Sequence, residues 1–328
     1  MEVVDPLLPF PGSIAGTVLT VGTFDGVHRG HQDVIARLVD RARTVRLPSM
    51  LVTFEPHPLE VVNPAVAPLL LTTRAEKLAV LAATGVDLVA ILPFTAELSA
   101  LSAEEFVDRC LLDRLRMREL LIGHDHGFGR GREGDVDTLR TLGAARGFVV
   151  EVVPPVRTAA GETISSSRIR RAVATGDLEE TVECLGRRYS VMGPVVPGEA
   201  RGRTLGFRTV NVEPGSSRKL LPPDGVYAVE ARTARGSFGG MLNLGARPTF
   251  GDPRRTIEAH MFDVDADFYG DVVEVAFVDR LRDVVRFDGP EALRTQLAAD
   301  ERAARLALTA LGGPGNLNGS MPVPPSTP

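Results

Sequence analysis

Two rhythms of apolar and polar positions divide the chain. In the first, short apolar runs alternate with stretches whose apolar residues recur at helical spacing. Thr17–Val21, Met50–Phe54, Leu88–Leu92, Leu120–Ile122 and Phe148–Val153 read as strands. Between them, His31–Arg46, Arg74–Ala83, Ala103–Leu115 and Val136–Arg146 read as helices. Two helix starts carry a capping box, Thr73 with Glu76 and Ser102 with Glu105, in which hydroxyl and carboxylate each satisfy an orphan backbone N–H. Strict alternation of strand and helix predicts a parallel sheet covered on both faces. Ser166–Ala174 and Leu178–Leu185 are expected to close this part as helices.

From Tyr189 onward the rhythm changes. Val191–Val196, Gly225–Ala231, Phe238–Leu244, Ile257–Phe262 and Val272–Phe277 are short runs separated by Gly, Pro and Asp, the pattern of an antiparallel barrel or sandwich. A helix is expected over Pro290–Leu311. The Gly/Pro/Ser-rich end reads as a disordered tail. The domains predicted are therefore 1–186 and 187–311, with the tail at 312–328.

Composition narrows the function classes. Of 328 residues, 44% are hydrophobic and 24% charged, an ordinary globular mix that excludes a disordered chain. Lys plus Arg number 37 against 42 Asp plus Glu, which argues against a general nucleic-acid binder but leaves room for a local phosphate site. Two cysteines, Cys110 and Cys184, are too few for a disulfide framework and fall in apolar helical patterns, so buried thiols are expected. The N-terminal MEVVDPLLPFPG has no basic leader and too short an apolar run to be expected to act as a signal peptide, and no apolar run approaches the roughly 20 residues that span a bilayer. A cytoplasmic protein that binds no membrane is expected.

The first candidate chemistry follows strand Thr17–Val21. Gly22-Thr-Phe-Asp-Gly-Val-His-Arg-Gly-His31 places three glycines and two histidines between a strand and a helix. Such loops lie at the carboxyl ends of parallel strands, where ligands bind, and His28 and His31 can share one face of the helix start. Two imidazole donors beside free backbone N–H groups would cradle a triphosphate. The plain alternative is a Gly-rich turn with capping histidines. A zinc site from His28, His31 and His57 is a further rival, although no Cys or Glu stands at ligand spacing. Three more segments follow later strands: Thr53-Phe-Glu-Pro-His-Pro58, the Gly/Arg-rich Ile122–Asp135, and Ile164-Ser-Ser-Ser-Arg-Ile-Arg170, whose serines and Arg168 open a helix.

Taken together, GTFDGVHRGHQ, TFEPHP, GHDHGFGRGREGD and ISSSRIR resemble the nucleotidyltransferase module of the prokaryotic bifunctional riboflavin kinase/FAD synthetases. The second half is similar to the same family through Gly193–Asn211, Leu221–Tyr227, Asn243–Phe250, Ile257–His260 and Phe268–Gly270. The resemblance covers about residues 15–310. It implies an α/β fold: an N-terminal Rossmann-like, doubly wound nucleotidyltransferase domain, then an antiparallel β-barrel riboflavin kinase domain with a C-terminal helix. It implies riboflavin, FMN and ATP as substrates and Mg2+ as cofactor; a monomer or weak homo-oligomer is expected.

The residues that match the family motifs take its roles. For adenylyl transfer, Gly22, Thr23, Phe24, Asp25, Gly26, His28, His31, Ser166, Ser167 and Arg168 would bind ATP, with His28, His31 and Arg168 catalytic. His57, Asp125 and Phe128 would meet FMN. In the kinase loop Arg203, Gly206 and Phe207 would meet nucleotide and flavin. Thr209 and Asn211 offer hard oxygen ligands suited to magnesium, and Glu258 a carboxylate base for the attacking hydroxyl. An outward-facing strand residue is the plain alternative for Glu258. The sequence departs from the family at Arg208, where Pro is usual, at Pro197 and Glu199, where His and Asp are usual, and at His124 and His126. A single-activity adenylyltransferase with a degenerate barrel, and a flavin-binding sensor without turnover, stand as alternatives.

Overall fold

The computed structural model describes residues 1–5, 14–124, 127–198, 207–246 and 255–310. The chain forms two compact units, Met1–Leu69 with Leu81–Ser165, and Leu70–Val80 with Ser166–Pro328. Asp125, His126, Glu199, Arg203, Gly206 and the tail expected at 312–328 lie outside the described residues.

The first unit holds a six-stranded sheet. Its strands are β1 (Glu2–Val4), β2 (Thr17–Val21), β3 (Ser49–Glu55), β4 (Leu88–Pro93), β5 (Met117–Gly123) and β6 (Val149–Val153), in the order β1-β4-β3-β2-β5-β6. Every neighbouring pair is parallel. On β2 all five residues are buried, so both faces are covered, and its Val/Leu/Thr run has no polar side to show. The chain builds β2, β3 and β4 toward one edge, then crosses back to β5 and β6. The switch point between β2 and β5 opens a crevice at their carboxyl ends. The first unit's helices are α1 (Arg29–Val45), α2 (Pro58–Val62), α4 (Ala96–Ala100), α5 (Ala103–Phe106) and α6 (Val136–Arg146), while α3 (Arg74–Ala82) lies mostly in the segment grouped with the second unit. From Phe106 the chain continues as a π-helix over Val107–Arg114, so Ala103–Leu115 is helical as the pattern predicts but not uniformly α.

The second unit contains helices α7 (Ser166–Thr175) and α8 (Leu178–Leu185) and a closed barrel. Its strands are β7 (Ser190–Val196), β8 (Val210–Val212), β9 (Gly225–Thr233), β10 (Gly236–Ala246), β11 (Arg255–Met261) and β12 (Val272–Arg282), in the ring order β10-β11-β8-β7-β12-β9. All six contacts are antiparallel. Tyr227, Val229, Leu242, Leu244, Val273, Val275 and Phe277 fill the interior. Helix α9 (Pro290–Thr309) lays Ala304 and Leu308 over Ala228, Met241 and Phe262 on the outer wall. Arg282 fastens it with two hydrogen bonds to Asp300, at 2.8 and 2.7 Å.

The units divide the chain at points other than 186/187, because α7, α8 and Leu70–Val80 group with the barrel. A buried ion pair accounts for the last segment. Thr73 and Glu76 form the expected capping box, with Thr73 N–H donating to Glu76 Oε2 at 2.8 Å and Glu76 N–H to Thr73 Oγ1 at 3.3 Å. Glu76 also accepts from Met192 N–H and from Lys219 Nζ, both at 2.8 Å. Lys219 donates to the Leu71 carbonyl and lies 4.4 Å over the Tyr189 ring. Both charges are fully buried, which is tolerable only because each is hydrogen-bonded on several sides. Nearby, burial pushes the Arg187 guanidinium down to about 10 and the Glu274 carboxyl up.

Candidate active sites

The turn after β2 is held from several sides. Gly22 N–H donates to the Val52 carbonyl at 3.0 Å, and Thr53 Oγ1 donates to the Thr23 carbonyl at 3.0 Å. Phe24, Gly26 and Val27 all take left-handed backbone angles, with φ of 47°, 82° and 39°. For Phe24 and Val27 this is strained, and it persists because both side chains are buried. The turn delivers His28 to the N-cap of α1. The His31 N–H donates to His28 Nδ1 at 3.3 Å, so neutral His28 carries its proton on Nε2 and presents it as a donor. The two imidazoles stack with centroids 3.6 Å apart, and Phe24 meets His31 edge-on at 5.0 Å. Gly30 makes room for this pair, since a Cβ there would stand 3.1 Å from the His28 ring. No acidic residue lies in the first turn of α1, whose N-terminus carries the positive end of the helix dipole. The cap engages Nδ1, so the capping alternative and the phosphate-donor expectation concern different nitrogens of the His28 ring.

Two other candidates sit at the same edge of the sheet. His57 follows β3 and caps α2: Leu59 N–H donates to its Nδ1 at 3.2 Å, and Glu60 completes a capping box. Phe128 follows β5 and is buried in the core. It belongs to a row of rings, Phe94 to Phe54 at 5.4 Å, Phe54 to Phe106 at 6.2 Å and Phe106 to Phe128 at 5.1 Å. The Gly-Phe-Gly stretch around it packs on the start of α5, where a Cβ at Gly129 would stand 2.6 Å from the Ala103 nitrogen. Sequence reading missed Phe54 and Phe106 in this row. Their signal was present, one aromatic residue near the end of each element leading to this edge. Ser166, Ser167 and Arg168 form the first turn of α7 in the second unit, where Arg168 Nε lies 2.5 Å from Glu180 Oε1 of α8.

In the barrel wall, cross-strand register builds the other site. Asn211 on β8 stands directly opposite Glu258 on β11, and Glu258 stands opposite Asn243 on β10. Three polar residues thus lie side by side on adjacent strands. On β11 the neighbours Ile257, Ala259 and Met261 are buried, while Thr256, Glu258 and His260 on the other face are half-buried. Gly198 packs so closely on the Asn211 amide that a Cβ would meet Nδ2 at 1.9 Å. Just before β8, Phe207 meets the His260 ring at 5.3 Å and the Arg208 carbonyl lies 2.7 Å from His260 Nδ1. The Arg208 side chain, where the family usually has Pro, pairs with Asp265 at 3.1 Å and Asp267 at 3.7 Å. Beside this lies a cavity of about 480 Å³ lined by Phe207, His260, Met261, Phe262, Asp263, Val264, Arg294, Ala298, Glu301 and Arg305. Arg305 stacks 4.4 Å over Phe262 and holds the Asp263 carboxyl below the usual carboxylate range. Among the described residues, no cluster of three or more His, Cys, Asp or Glu could hold a metal ion.

A nucleotide-type α/β unit with an anion-ready helix start, and a closed barrel with a carboxylate beside oxygen donors, define a two-module phosphotransfer protein. The FAD synthetase family model matches residues 11–168 and the riboflavin kinase family model residues 185–308. The bifunctional riboflavin kinase/FMN adenylyltransferase of Pseudomonas fluorescens is 41% identical over 88% of this chain and 92% of its own length. That of Escherichia coli is 39% identical over the same shares. A crystal structure titled as a macrolide-efflux protein from Streptococcus pneumoniae superposes with a TM-score of 0.80, at 31% identity, over 92% of this chain and 98% of that one. That likeness is one of fold; among the described residues no helix is long and apolar enough to cross a membrane. The chain belongs to the bifunctional riboflavin kinase/FMN adenylyltransferase family.

Proposed function

We propose that the protein makes FAD from riboflavin in two ATP-dependent steps, one in each module. In the barrel, the Glu258 carboxylate takes the proton of the riboflavin ribityl hydroxyl as its oxygen bonds to the γ-phosphorus of ATP. The bond from that phosphorus to the β-phosphate bridge breaks, giving FMN and ADP. In the α/β module a phosphate oxygen of FMN attacks the α-phosphorus of a second ATP, and pyrophosphate leaves. That nucleophile is already an anion, so no base and no covalent intermediate are required. His28 Nε2–H, His31 and the α1 N-terminus supply donors for the charge that builds on the phosphates. Gly22, Thr23, Phe24, Asp25 and Gly26 shape the same cradle, and Ser166, Ser167 and Arg168 are assigned to the nucleotide by their motif. His57 and Phe128 are assigned to FMN.

The observation that carries the bifunctional reading is Asn211 standing opposite Glu258, with Thr209 two residues before Asn211. Thr209 and Asn211 provide hard oxygen ligands fitted to Mg2+, which when bound neutralises charge on the transferring phosphates. Cytoplasmic residence and a monomeric or weakly associating state complete the proposal. Incubating the full chain with riboflavin, ATP and Mg2+ and separating the products over time tests it. FMN followed by FAD is expected. FAD formed only from supplied FMN would make the barrel a degenerate kinase, and no product from either flavin would leave a binding protein.

A further inference from the structure

We propose that His260 is a positioning residue of the phosphoryl-transfer site, its Nδ1–H gripping the Arg208 carbonyl and so fixing Thr209 against the barrel wall. This rests on the kinase reading of the barrel. The β8–β11 ladder is only two pairs long, Asn211 with Glu258 and Val210 with Ala259. Thr209 is the next residue outward and lies beyond the last pair. Left there, its backbone would be tied on one side only. The His260 side chain takes over where the ladder stops, with Nδ1 at 2.7 Å from the Arg208 carbonyl, the group immediately before Thr209. A carbonyl can only accept, so the proton is on Nδ1. Thr209 is therefore held from both sides, by the ladder at Val210 and by the histidine at Arg208.

The ring is itself kept in place. Phe207 meets it edge-on at 5.3 Å and Phe262 at 5.8 Å, so the imidazole cannot swing away without losing aromatic contact on two sides. The other tether on this segment is weaker: the Arg208 guanidinium reaches Asp265 and Asp267, whose side chains are 96% and 63% exposed. His260 is thus the better-shielded anchor of the loop that carries Thr209. It is placed two residues after the proposed base, on the same face of β11, so one strand sets the position of both Glu258 and Thr209.

Two variants of the full-length protein separate the donor from the ring. His260→Phe keeps an aromatic ring and loses the N–H, whereas His260→Asn loses the ring and keeps a side-chain N–H near the Nδ1 position. Riboflavin phosphorylation, its Mg2+ requirement and amide hydrogen exchange over residues 207–212 are measured, with FMN adenylylation in the same sample. Displacement of a reacting group by about 1 Å costs on the order of 100-fold, so His260→Phe should lower kinase kcat by about 10- to 100-fold. It should also raise the Mg2+ concentration needed, speed exchange at Val210 and Asn211, and spare FMN adenylylation. His260→Asn should recover most of both the turnover and the protection. The proposal is overturned by wild-type kcat in His260→Phe, or by His260→Asn being as slow as His260→Phe. A raised riboflavin KM at unchanged kcat would make His260 a flavin contact instead. Protection lost throughout the barrel in both variants would make it a residue of the fold. If the wild-type chain forms no FMN from riboflavin, the kinase reading fails. Faster exchange confined to Val210 and Asn211 in His260→Phe would still show the grip on the loop.

Discussion

In the first unit, Gly22 to His31 is one uninterrupted run of sequence that makes its own turn, caps its own helix and presents its own donors. In the barrel, Asn211, Asn243 and Glu258 come from three strands and become neighbours only through register. The first kind of site depends on local backbone geometry and on a helix terminus. The second depends on the wall of the barrel closing in the right alignment, since a slip of one residue on β11 would turn Glu258 to the other face. The two sites should therefore fail in different ways.

Replacing the proposed base tests whether they are separate at all. Glu258→Gln keeps size and hydrogen-bonding reach but cannot take the ribityl proton, so riboflavin phosphorylation should fall by about 10²- to 10⁴-fold. FAD formation from supplied FMN should be unchanged in the same protein. Normal phosphorylation in this variant would remove the mechanism assigned to the barrel.

His28→Asn asks what the local site is for. Asn is as good an N-cap as the helix could have, but it has no group where His28 carries Nε2–H. FMN adenylylation should drop by about 100- to 1000-fold with the unfolding midpoint nearly unmoved, the cost typical of losing one transition-state donor. If turnover survives, capping is the whole role of His28.

The Leu70–Val80 segment tests the boundary between the modules. Lys219→Met leaves the Glu76 carboxylate buried without its cation, and should cost about 3–5 kcal/mol of stability in denaturant unfolding. Adding Glu76→Gln should restore much of it. Residues 1–186 alone are proposed to adenylylate FMN, but with a lowered unfolding midpoint, because Glu76 then loses both Lys219 and the Met192 N–H. A fragment as stable as the full chain would show that these contacts do not matter for the α/β module.

Arg208→Ala should have the mildest effect. Its partners are exposed, so the loss should be within about 1 kcal/mol, and kinase turnover should stay close to normal while His260 holds the loop. A large rise in the ATP requirement would instead mean that Arg208 contacts nucleotide phosphates.

Sequence by itself determined the strand–helix alternation, the change to antiparallel strands after Tyr189, both capping boxes and the burial of Cys110 and Cys184. These follow from local period and local hydrogen-bonding chemistry, which a linear reading can see. The Gly22–His31 turn was legible for the same reason, although α1 starts at Arg29, two residues before the expected His31, because His28 is its cap. Strands β1 and β8 were not foreseen: each has three residues, too few for a period, and each exists because a longer strand offers it a ladder. The second oxygen of Glu76, the contact of His260 with Arg208 and the row Asn211–Glu258–Asn243 belong wholly to the tertiary structure. Each joins residues far apart in the chain, and such contacts are set by sheet order, barrel closure and the need to satisfy buried charge, none of which leaves a pattern in neighbouring residues.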